Sequence, residues 1–410
     1  MPLRTYLANA LGEIAGVVST RDGAEPGIWS GLPGSLTRVI KPNDPAPGAP
    51  GAVFSGMVDT IPDVSLTDSG KLTFRALLSG GGVNSANDRG IWIGHSGDYA
   101  LVVREGQAAP GTASGVTFGT VNSFFSNDSH VAFGASLLGP GITPTDRSSA
   151  WLGSPSGLTL LARADDLAPG LGSGISLAHI NLRDFTDTGL VALTTKLAGP
   201  SVNETNNQAL WLGQPGSLSL AARTGDQAPG LPDGVTISSL GEAKVNGSGQ
   251  VAFFAGIAGA GVVETNDTGL WIGTPGNLSL VVREGNQVPG LAAGVVFHSL
   301  SSTQSFSGLQ LNSAGSAAFI GTVSGPAISI FDDDWIWLHT AAGLTRLAAG
   351  ENSDVFLNDV GQVAYASGGN EILLFTPTPV PEPSTLAFAA IMVTAAIGRS
   401  LRRRTRTRLS

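Results

Sequence analysis

The fold is decided by a stretch that recurs along the chain, and its clearest copy is NGSGQVAFFAGIAGAGVVETNDTGLWIGTPGNLSLVVREGNQVPG at 246–290. A polar turn opens it and leads into a short apolar run. A loop then leads to a tryptophan, and an alternating run ends at an arginine. Asn and Gly favour tight turns, and alternation of apolar and polar residues is typical of a half-buried strand. The stretch therefore predicts short strands joined by turns.

Tryptophans mark this repeat along the chain at intervals of about sixty residues. The six are Trp29, Trp92, Trp151, Trp211, Trp271 and Trp337, and most stand in a setting such as GIWIG or ALWLG. A period of this length is typical of propellers and other arrays, in which each module buries apolar residues against its neighbours. We therefore interpret the six tryptophans as core residues of equivalent modules.

A motif of the form Asn-x-x-Gly-x-x-Ala-aromatic precedes the tryptophans. Two clear copies contribute the structural candidates Asn246, Gly249, Phe253, Asn312, Gly315 and Phe319, and a third begins at Asn358. Weaker copies are NALGEIAG (9–16), TDSGKLTF (67–74), SNDSHVAF (126–133) and TDTGLVAL (186–193). We expect the Asn side chain to cap each turn and the Gly to supply a positive φ.

Two more strands follow each tryptophan. The first ends at an arginine in four units, at Arg104, Arg163, Arg223 and Arg283. The second is GVTF (115–118), GVTI (234–237) or GVVF (294–297). Four short strands per unit match a propeller blade. The predicted fold is all-β, a β-propeller-like ring of about six to seven four-stranded repeats over residues 1–375. Six and seven blades both stay open, as does an open stack of sheets.

Charge and cysteine content exclude several functions. The 410 residues include 31 acidic and 22 basic ones, and six of the basic residues follow Gly398, so the repeats are strongly acidic. Such a body is a poor partner for nucleic acid, because phosphate contacts need clustered Lys and Arg. The chain has no cysteine, which excludes disulfides, thiolate metal sites and a cysteine nucleophile.

The sequence predicts no catalytic residue, no cofactor and no metal site. The histidines, which are His95, His130, His179, His298 and His339, lack the spacing of a ligand pair, and we interpret them as exposed loop residues. Calcium is an alternative, since Asp332–Asp334 and the loops 204–208 and 264–269 offer oxygen ligands. No Asp-x-Asp-x-Asp-Gly loop is present, which favours solvated turns.

The repeated arginines have two interpretations. Around a central channel they could bind acidic sugars, or each could pair locally and cap loop carbonyls. A residue that recurs in every unit more often serves the unit, which favours the structural interpretation. Trp335 is the one tryptophan outside the pattern, and it could stack on a sugar.

The C-terminal segment differs from the repeats. Residues 376–385 (TPTPVPEPST) predict an extended linker, 386–398 (LAFAAIMVTAAIG) a short membrane helix, and 399–410 a basic cytoplasmic tail. At the other end, the first ten residues contain no apolar segment of a signal peptide, and we expect the true start to lie upstream.

This order of parts resembles the PEP-CTERM sorting signal of Gram-negative bacteria. The resemblance rests on the motif Val380, Pro381, Glu382, Pro383 and Ser384, and on the basic residues Arg399, Arg402, Arg403, Arg404, Arg406 and Arg408 after the apolar segment. It implies transient insertion in the inner membrane, cleavage near Pro-Glu-Pro by an exosortase, and release or attachment at the cell surface. It also implies a link to exopolysaccharide and biofilm.

The body resembles the tandem NxxGxxAF repeat proteins that carry interchangeable C-terminal anchors, a group without an established activity. We therefore expect an exported, non-enzymatic cell-surface or extracellular-matrix protein that binds polysaccharide or another surface protein. The alternative is a secreted propeller enzyme, a glycan hydrolase or lyase. That activity requires non-repeating acid and base residues, such as a carboxylate pair, in one cavity.

Overall fold

The computed structural model describes residues 5–9, 11–18, 26–57, 64–300, 308–329, 333–349, 355–367, 371–376 and 393–395. These residues form strands and turns and contain no helix. The strands make seven antiparallel sheets, the blades of an all-β propeller fold. The structure thus confirms the all-β propeller prediction and decides the number of blades in favour of seven.

Contacts divide the chain into two compact units. Unit one comprises Met1–Gly261 and Ile272–Ser279, and unit two comprises Val262–Trp271 and Leu280–Ser410. The first four sheets belong to unit one and the last two to unit two, while the fifth draws residues from both.

Each of the first four sheets is ordered along the chain. The first contains β1 (Thr5–Ala8), β2 (Ile14–Val18), β3 (Gly27–Gly31) and β4 (Thr37–Ile40). The second contains β5 (Ala52–Met57), β6 (Val64–Leu66), β7 (Leu72–Gly80), β8 (Arg89–His95) and β9 (Asp98–Arg104), with β5 and β6 both paired to β7. The third contains β10 (Thr117–Ser126), β11 (Val131–Leu138), β12 (Ser148–Ser154) and β13 (Gly157–Arg163). The fourth contains β14 (Ser176–Phe185), β15 (Val191–Ala198), β16 (Gln208–Gly213) and β17 (Ser219–Arg223).

The remaining three sheets follow the same order. The fifth contains β18 (Thr236–Val245), β19 (Val251–Ala258), β20 (Thr268–Thr274) and β21 (Asn277–Arg283). The sixth contains β22 (Val296–Ser299), β23 (Leu309–Leu311), β24 (Ala317–Ser324), β25 (Asp334–Thr340) and β26 (Gly343–Ala349), with β22 and β23 both paired to β24. The seventh contains β27 (Val355–Leu357), β28 (Val363–Ser367), β29 (Glu371–Phe375) and β30 (Val393–Ala395).

The strand order corrects the predicted unit. The GVTF strand begins β10 and pairs with β11, the strand of the Asn-Gly motif that follows it, so it opens a sheet instead of ending one. The physical reason is loop length: the short turn 127–130 closes β10 and β11 into a hairpin, whereas the long loop 105–116 separates β10 from the arginine strand.

The repeated tryptophans lie in the third strand of the first six sheets, counted along the path β5-β7-β8-β9 in the second and β22-β24-β25-β26 in the sixth. Five of them are fully buried, at Trp92, Trp151, Trp211, Trp271 and Trp337, and Trp29 is half-buried. In three sheets a phenylalanine from the first strand packs against the indole, with ring centroids 5.0 Å apart for Phe54 and Trp92, 4.9 Å for Phe118 and Trp151, and 4.8 Å for Phe297 and Trp337. Aromatic pairs at such distances add to the stability that burial provides. The second, third and sixth sheets thus share an aromatic pair in their cores, while the fourth and fifth have Leu177 and Ile237 buried on the first strand.

The Asn-Gly motif forms the turn before the second strand. Asn246 Oδ1 accepts hydrogen bonds from the backbone N–H groups of Ser248 and Gln250 at 3.1 and 3.0 Å, and Gly249 has a φ of 81°. Asn312 and Gly315 repeat this geometry in unit two. Phe253 and Phe319, at the end of the two motifs, are buried in β19 and β24.

The asparagine at this motif position also forms a hydrogen bond to the next sheet. Asn127 Nδ2 donates to the Thr186 carbonyl of the following turn at 3.1 Å, and Asn312 Nδ2 donates to the Asn358 carbonyl at 3.1 Å. An asparagine suits this position because its side chain provides both an acceptor for its own turn and a donor for the neighbouring one.

The predicted membrane helix at 386–398 is not supported. Val393–Ala395 form a short strand beside Glu371–Phe375, for which the β-branched Val393 and Thr394 are suited. The rest of that segment lies outside the described residues, as do the sorting residues Val380–Ser384 and the arginines between 399 and 408. In the part of the chain that the structure describes, no helix is long and apolar enough to cross a membrane.

Candidate functional site

The repeated arginines hold loops in place. Arg104 Nε donates to the Asn87 carbonyl at 2.8 Å, and Arg223 Nε donates to the Asn206 carbonyl at 3.0 Å. Arg283 binds both the carbonyl and the side-chain oxygen of Asn266, at 2.7 and 2.9 Å. All three are half-buried, so their guanidinium groups are committed to the protein. This geometry confirms the loop-capping interpretation of these three arginines.

The sixth sheet departs from this pattern at the arginine position. In three other sheets the arginine faces a small residue across the strand pair: the pairs are Gly90 with Arg104, Ser149 with Arg163, and Ala209 with Arg223. In the sixth sheet Trp335 takes the place of the small residue and Ala349 takes the place of the arginine. The extra tryptophan therefore coincides with the loss of the loop-capping arginine.

An arginine appears instead opposite the core tryptophan of this sheet. Arg346 faces Trp337, whereas the second, third and fourth sheets have leucines there, at Leu101, Leu160 and Leu220. Arg346 is exposed, and its guanidinium carbon lies 4.4 Å from the centroid of the Trp335 ring. Trp335 is only 6% exposed and packs at 5.8 Å against Trp337. The result is an outward-facing cation on a buried aromatic base.

A pocket opens beside this stack, and we call it the sixth-sheet pocket. Its volume is about 360 Å³, and it is lined by Ala327, Ile328, Ser329, Trp335, Arg346, Leu347 and Ala348. At its rim Ala327 has a φ of 64°, a left-handed conformation that costs a residue with a Cβ some strain. The corresponding turns before β12 and β20 use Gly141 and Gly261. A strained residue at a pocket rim is a recurrent feature of functional sites.

Charged residues converge at a second place, which we call the charged cluster. Asp184 of β14 lies 3.9 Å from the Lys244 ammonium of β18, and Arg183 and Glu242 lie beside them on the same strands. Burial raises the pKa of Asp184 and lowers the pKa of Arg183. Asp184 also accepts a hydrogen bond from the Val245 N–H at 2.8 Å. The cluster thus links the first strands of two neighbouring sheets.

Two buried glutamates make a further link between sheets. Glu105 accepts a hydrogen bond from the Val121 N–H at 3.2 Å, and Glu284 accepts one from the Leu300 N–H at 3.1 Å. Burial is the main cause that raises the pKa of both, and that of Glu284 reaches about 7, with Asp267 hydrogen-bonded beside it. Both glutamates follow a loop-capping arginine, so their role repeats with the fold.

The histidines and the acidic loops form no centre in the described part of the chain. His95, His179 and His298 are exposed, but they lie on strands, so their assignment to loops was wrong. His339 is half-buried on β25, and burial lowers its pKa. In one of the loops considered for calcium, the side-chain oxygen of Asn266 accepts a hydrogen bond from the Val263 N–H at 2.9 Å. No group of three or more metal-ligating side chains occurs among the described residues.

A family model matches residues 8–130 and again 122–366, and together these matches cover most of the chain. It describes a family of unknown function, DUF7453. The chain belongs to the DUF7453 family. No curated protein matches this DUF7453 chain.

Solved structures resemble the DUF7453 chain in fold alone. The polysaccharide lyase Uly1 is 9% identical with a TM-score of 0.43 and covers 84% of each chain. A PL25 ulvan lyase is 9% identical with a TM-score of 0.39 and covers 90% of each chain. The α-L-arabinofuranosidase Arb93A from Fusarium graminearum is 9% identical with a TM-score of 0.34, over 82% of this chain and 94% of that one. Likeness at this level says nothing about the activity of the DUF7453 protein.

Sequence reasoning on this DUF7453 chain singled out Trp335 but missed its partner. Arg346 could have been noticed, because it stands where the second, third and fourth units have leucine. The charged cluster was also missed; Asp184 and Lys244 occupy the same place in consecutive repeats with opposite charges. Comparing residues at one repeat position across all units would have found both.

Proposed function

We propose that this DUF7453 protein is an exported surface or extracellular-matrix protein of a Gram-negative bacterium that binds saccharide without catalysis. The sixth-sheet pocket carries the proposal. It combines an aromatic base, an exposed arginine and a hydroxyl-bearing rim in a volume of about 360 Å³, within the range of small-molecule pockets. It arises from departures from the repeat, which marks it as a feature of one sheet and not of the architecture.

The lining of the pocket supports binding over catalysis. Glycoside cleavage uses a pair of carboxyl groups on either side of the bond. The described lining residues include no Asp, Glu, His or Tyr. The charged group of the pocket is an arginine, which can hold a ligand by charge-assisted hydrogen bonds.

Binding is tested with the full chain against immobilised polysaccharides, acidic and neutral. We expect retention on at least one of them and its loss in Trp335→Ala. Because that variant removes a buried ring, Ser329→Trp is the second variant; it fills the pocket from an exposed rim position. Retention that survives both changes would place the binding surface elsewhere and end the proposal for this pocket.

Export forms the second part of the proposal. The Pro-Glu-Pro motif, the apolar segment and the arginine cluster support processing by an exosortase, with the inner membrane as a transient partner. The test is expression of the full chain behind a secretory signal peptide, in a host with and without an exosortase, followed by cell fractionation and intact mass. We expect residues 386–410 to be removed only when the exosortase is present. A mature species that keeps them counts against the sorting mechanism.

The charged cluster favours a second candidate, a glycan hydrolase or lyase. Asp184 and Glu242 are two non-repeating carboxyl groups on neighbouring first strands, and the pKa of Asp184 is raised by burial. An assay for new reducing ends or unsaturated products on the same polysaccharides decides this candidate. Activity that disappears in Glu242→Gln would support it, and stable substrate during prolonged incubation would remove it.

A further inference from the structure

We infer that the sixth-sheet pocket binds an anionic sugar residue, with Arg346 contacting the anion and Trp335 positioning the guanidinium. The inference rests on the proposed function and names the class of saccharide. The shared chemistry is an anionic group with several oxygens, which a uronate carboxylate and a sugar sulfate both offer.

The position of Arg346 is the first argument, because it leaves the guanidinium available to an anion. The second, third and fourth sheets have a leucine opposite the core tryptophan and the first has Arg38, so the fold itself does not require a charge there. Arg346 is exposed, and within the described residues no acceptor within hydrogen-bond distance takes its N–H groups. The guanidinium is thus fixed from below by the ring of Trp335 at 4.4 Å while its edges face outward. An arginine restrained in this way loses less entropy when it binds an anion.

The burial of Trp335 carries the second step, because it decides against a neutral sugar. A stacking platform for a neutral sugar needs an open aromatic face. Trp335 is 6% exposed, with Arg346 over its ring and Trp337 at 5.8 Å beside it. The group that the pocket offers to a ligand is therefore the cation, and the expectation that Trp335 itself stacks on a sugar is replaced by a positioning role.

The size of Trp335, compared with the residues at the same position in other sheets, is the third argument for a ligand. At the equivalent Gly90, a Cβ would approach the Trp92 ring to 2.8 Å, and the third and fourth sheets have only the small residues Ser149 and Ala209 at this position. The sixth sheet nevertheless has an indole there, that of Trp335, together with a strained Ala327 at the pocket rim. Two independent departures at one pocket are better explained by a ligand than by packing.

The test uses one sugar with and without its charge. The probes are oligogalacturonate, its methyl ester, dextran sulfate and dextran, each titrated calorimetrically into the full chain. We expect binding to oligogalacturonate or dextran sulfate, and weak or no binding to the uncharged counterparts. Arg346→Leu, which introduces the residue of the second, third and fourth sheets, should weaken anion binding about tenfold to hundredfold, as expected for a lost charge-assisted hydrogen bond.

Arg38 supplies the matched control. It faces Trp29 at the same repeat position in the first sheet, but its guanidinium carbon lies 6.0 Å from that ring and no second tryptophan accompanies it. Arg38→Leu should leave anion binding unchanged. Arg346→Lys should bind more weakly than the wild type, because an ammonium lacks the planar fork of donors. Thermal unfolding of each variant shows whether the fold is intact.

The outcomes separate the two proposals. Equal affinity of Arg346→Leu and wild type for the charged probes overturns the anion inference, while saccharide binding lost in Ser329→Trp keeps the pocket as a binding site. Binding of the methyl ester as tight as the acid also overturns it. Failure of the wild type to bind any saccharide removes the proposed function itself. A preference for dextran sulfate over oligogalacturonate, or the reverse, supports the inference and identifies the anion.

Discussion

In the fourth sheet Arg223 is half-buried and donates to the Asn206 carbonyl at 3.0 Å, whereas in the sixth sheet Arg346 is exposed and lies over the Trp335 ring. The two sheets share a strand order and a buried tryptophan in the third strand. The comparison teaches how to read charge in a repeat protein. A residue that recurs serves the module, and a residue that breaks the recurrence without a packing reason identifies a site.

The largest effect is expected from Trp211→Ala in the fourth sheet. Trp211 is fully buried, and its indole N–H donates to Thr195 Oγ1 at 2.9 Å. Removing the ring leaves a cavity and an unpaired hydroxyl, so the free energy of unfolding should fall by about 3–5 kcal/mol. Urea denaturation measures this change. A loss below about 1 kcal/mol would contradict the shared role of the tryptophans as core residues.

The asparagine turns of the third and sixth sheets should contribute similarly to the free energy of unfolding. Asn127→Asp keeps the acceptor for its own turn but sets a carboxylate against the Thr186 carbonyl, to which Nδ2 now donates. We expect a loss of about 1–3 kcal/mol of unfolding free energy. Asn312→Asp repeats the change against the Asn358 carbonyl and should cost a similar amount in urea titrations. Indifference of stability to both changes would show that the turns do not hold the sheets together.

Arg223→Leu tests whether the loop-capping arginine of the fourth sheet stabilises the fold. The substitution removes the donor to the Asn206 carbonyl in a half-buried site, and the unfolding free energy should fall by about 1–2 kcal/mol. Arg163 provides the control, because its buried Nε has no hydrogen-bond partner among the described residues. Arg163→Leu should therefore cost less. Equal costs for the two variants would mean that packing, and not the hydrogen bond, explains the repeated arginine.

Glu284 predicts a pH dependence of stability. Its folded-state pKa of about 7 lies above the ordinary value of 4.5, so the folded state binds more protons than the unfolded one between these values. The stabilisation is complete below about pH 4.5 and is lost as pH rises through about 7. The melting temperature, followed across this range, should fall with pH, and Glu284→Gln should flatten the profile. An unchanged profile in the variant would assign the dependence to other groups.

The blades were predictable because their signals are local. A tryptophan, an Asn-Gly turn and an alternating run each act within one hairpin, so their period gives the sheets directly. The first and last strand of each sheet were not predictable in this way. The GVTF strand has a neighbouring strand on each side in the sequence, and the lengths of the two connecting loops decide which one it pairs with. The fourth strand of the seventh sheet, β30, was likewise not predicted, because its residues belong to a segment whose composition favours an apolar helix.

The pocket required cross-strand register, which spacing alone does not provide. A bulge lies between Ile336 and Trp337, so Trp335 pairs with Ala349 while Trp337 pairs with Arg346. The same irregularity precedes the repeated tryptophan in the first four sheets. Side chains on the two sides of a bulge change partners by one residue. For this reason Trp335 could be recognised as unusual while Arg346 could not be paired with it.

The smallest effect on stability is expected from Arg346→Leu, and it sharpens the comparison most. Leucine stands at this position in the second, third and fourth sheets, and Arg346 is exposed, so unfolding free energy should change by less than about 0.5 kcal/mol. Arg223→Leu should be clearly worse in the same urea titration. If Arg346→Leu destabilises as much, the arginine of the sixth sheet serves the fold after all, and the distinction between a loop-capping arginine and an exposed, ligand-binding one fails. If stability holds while anion binding is lost, one substitution will have separated architecture from function in this chain.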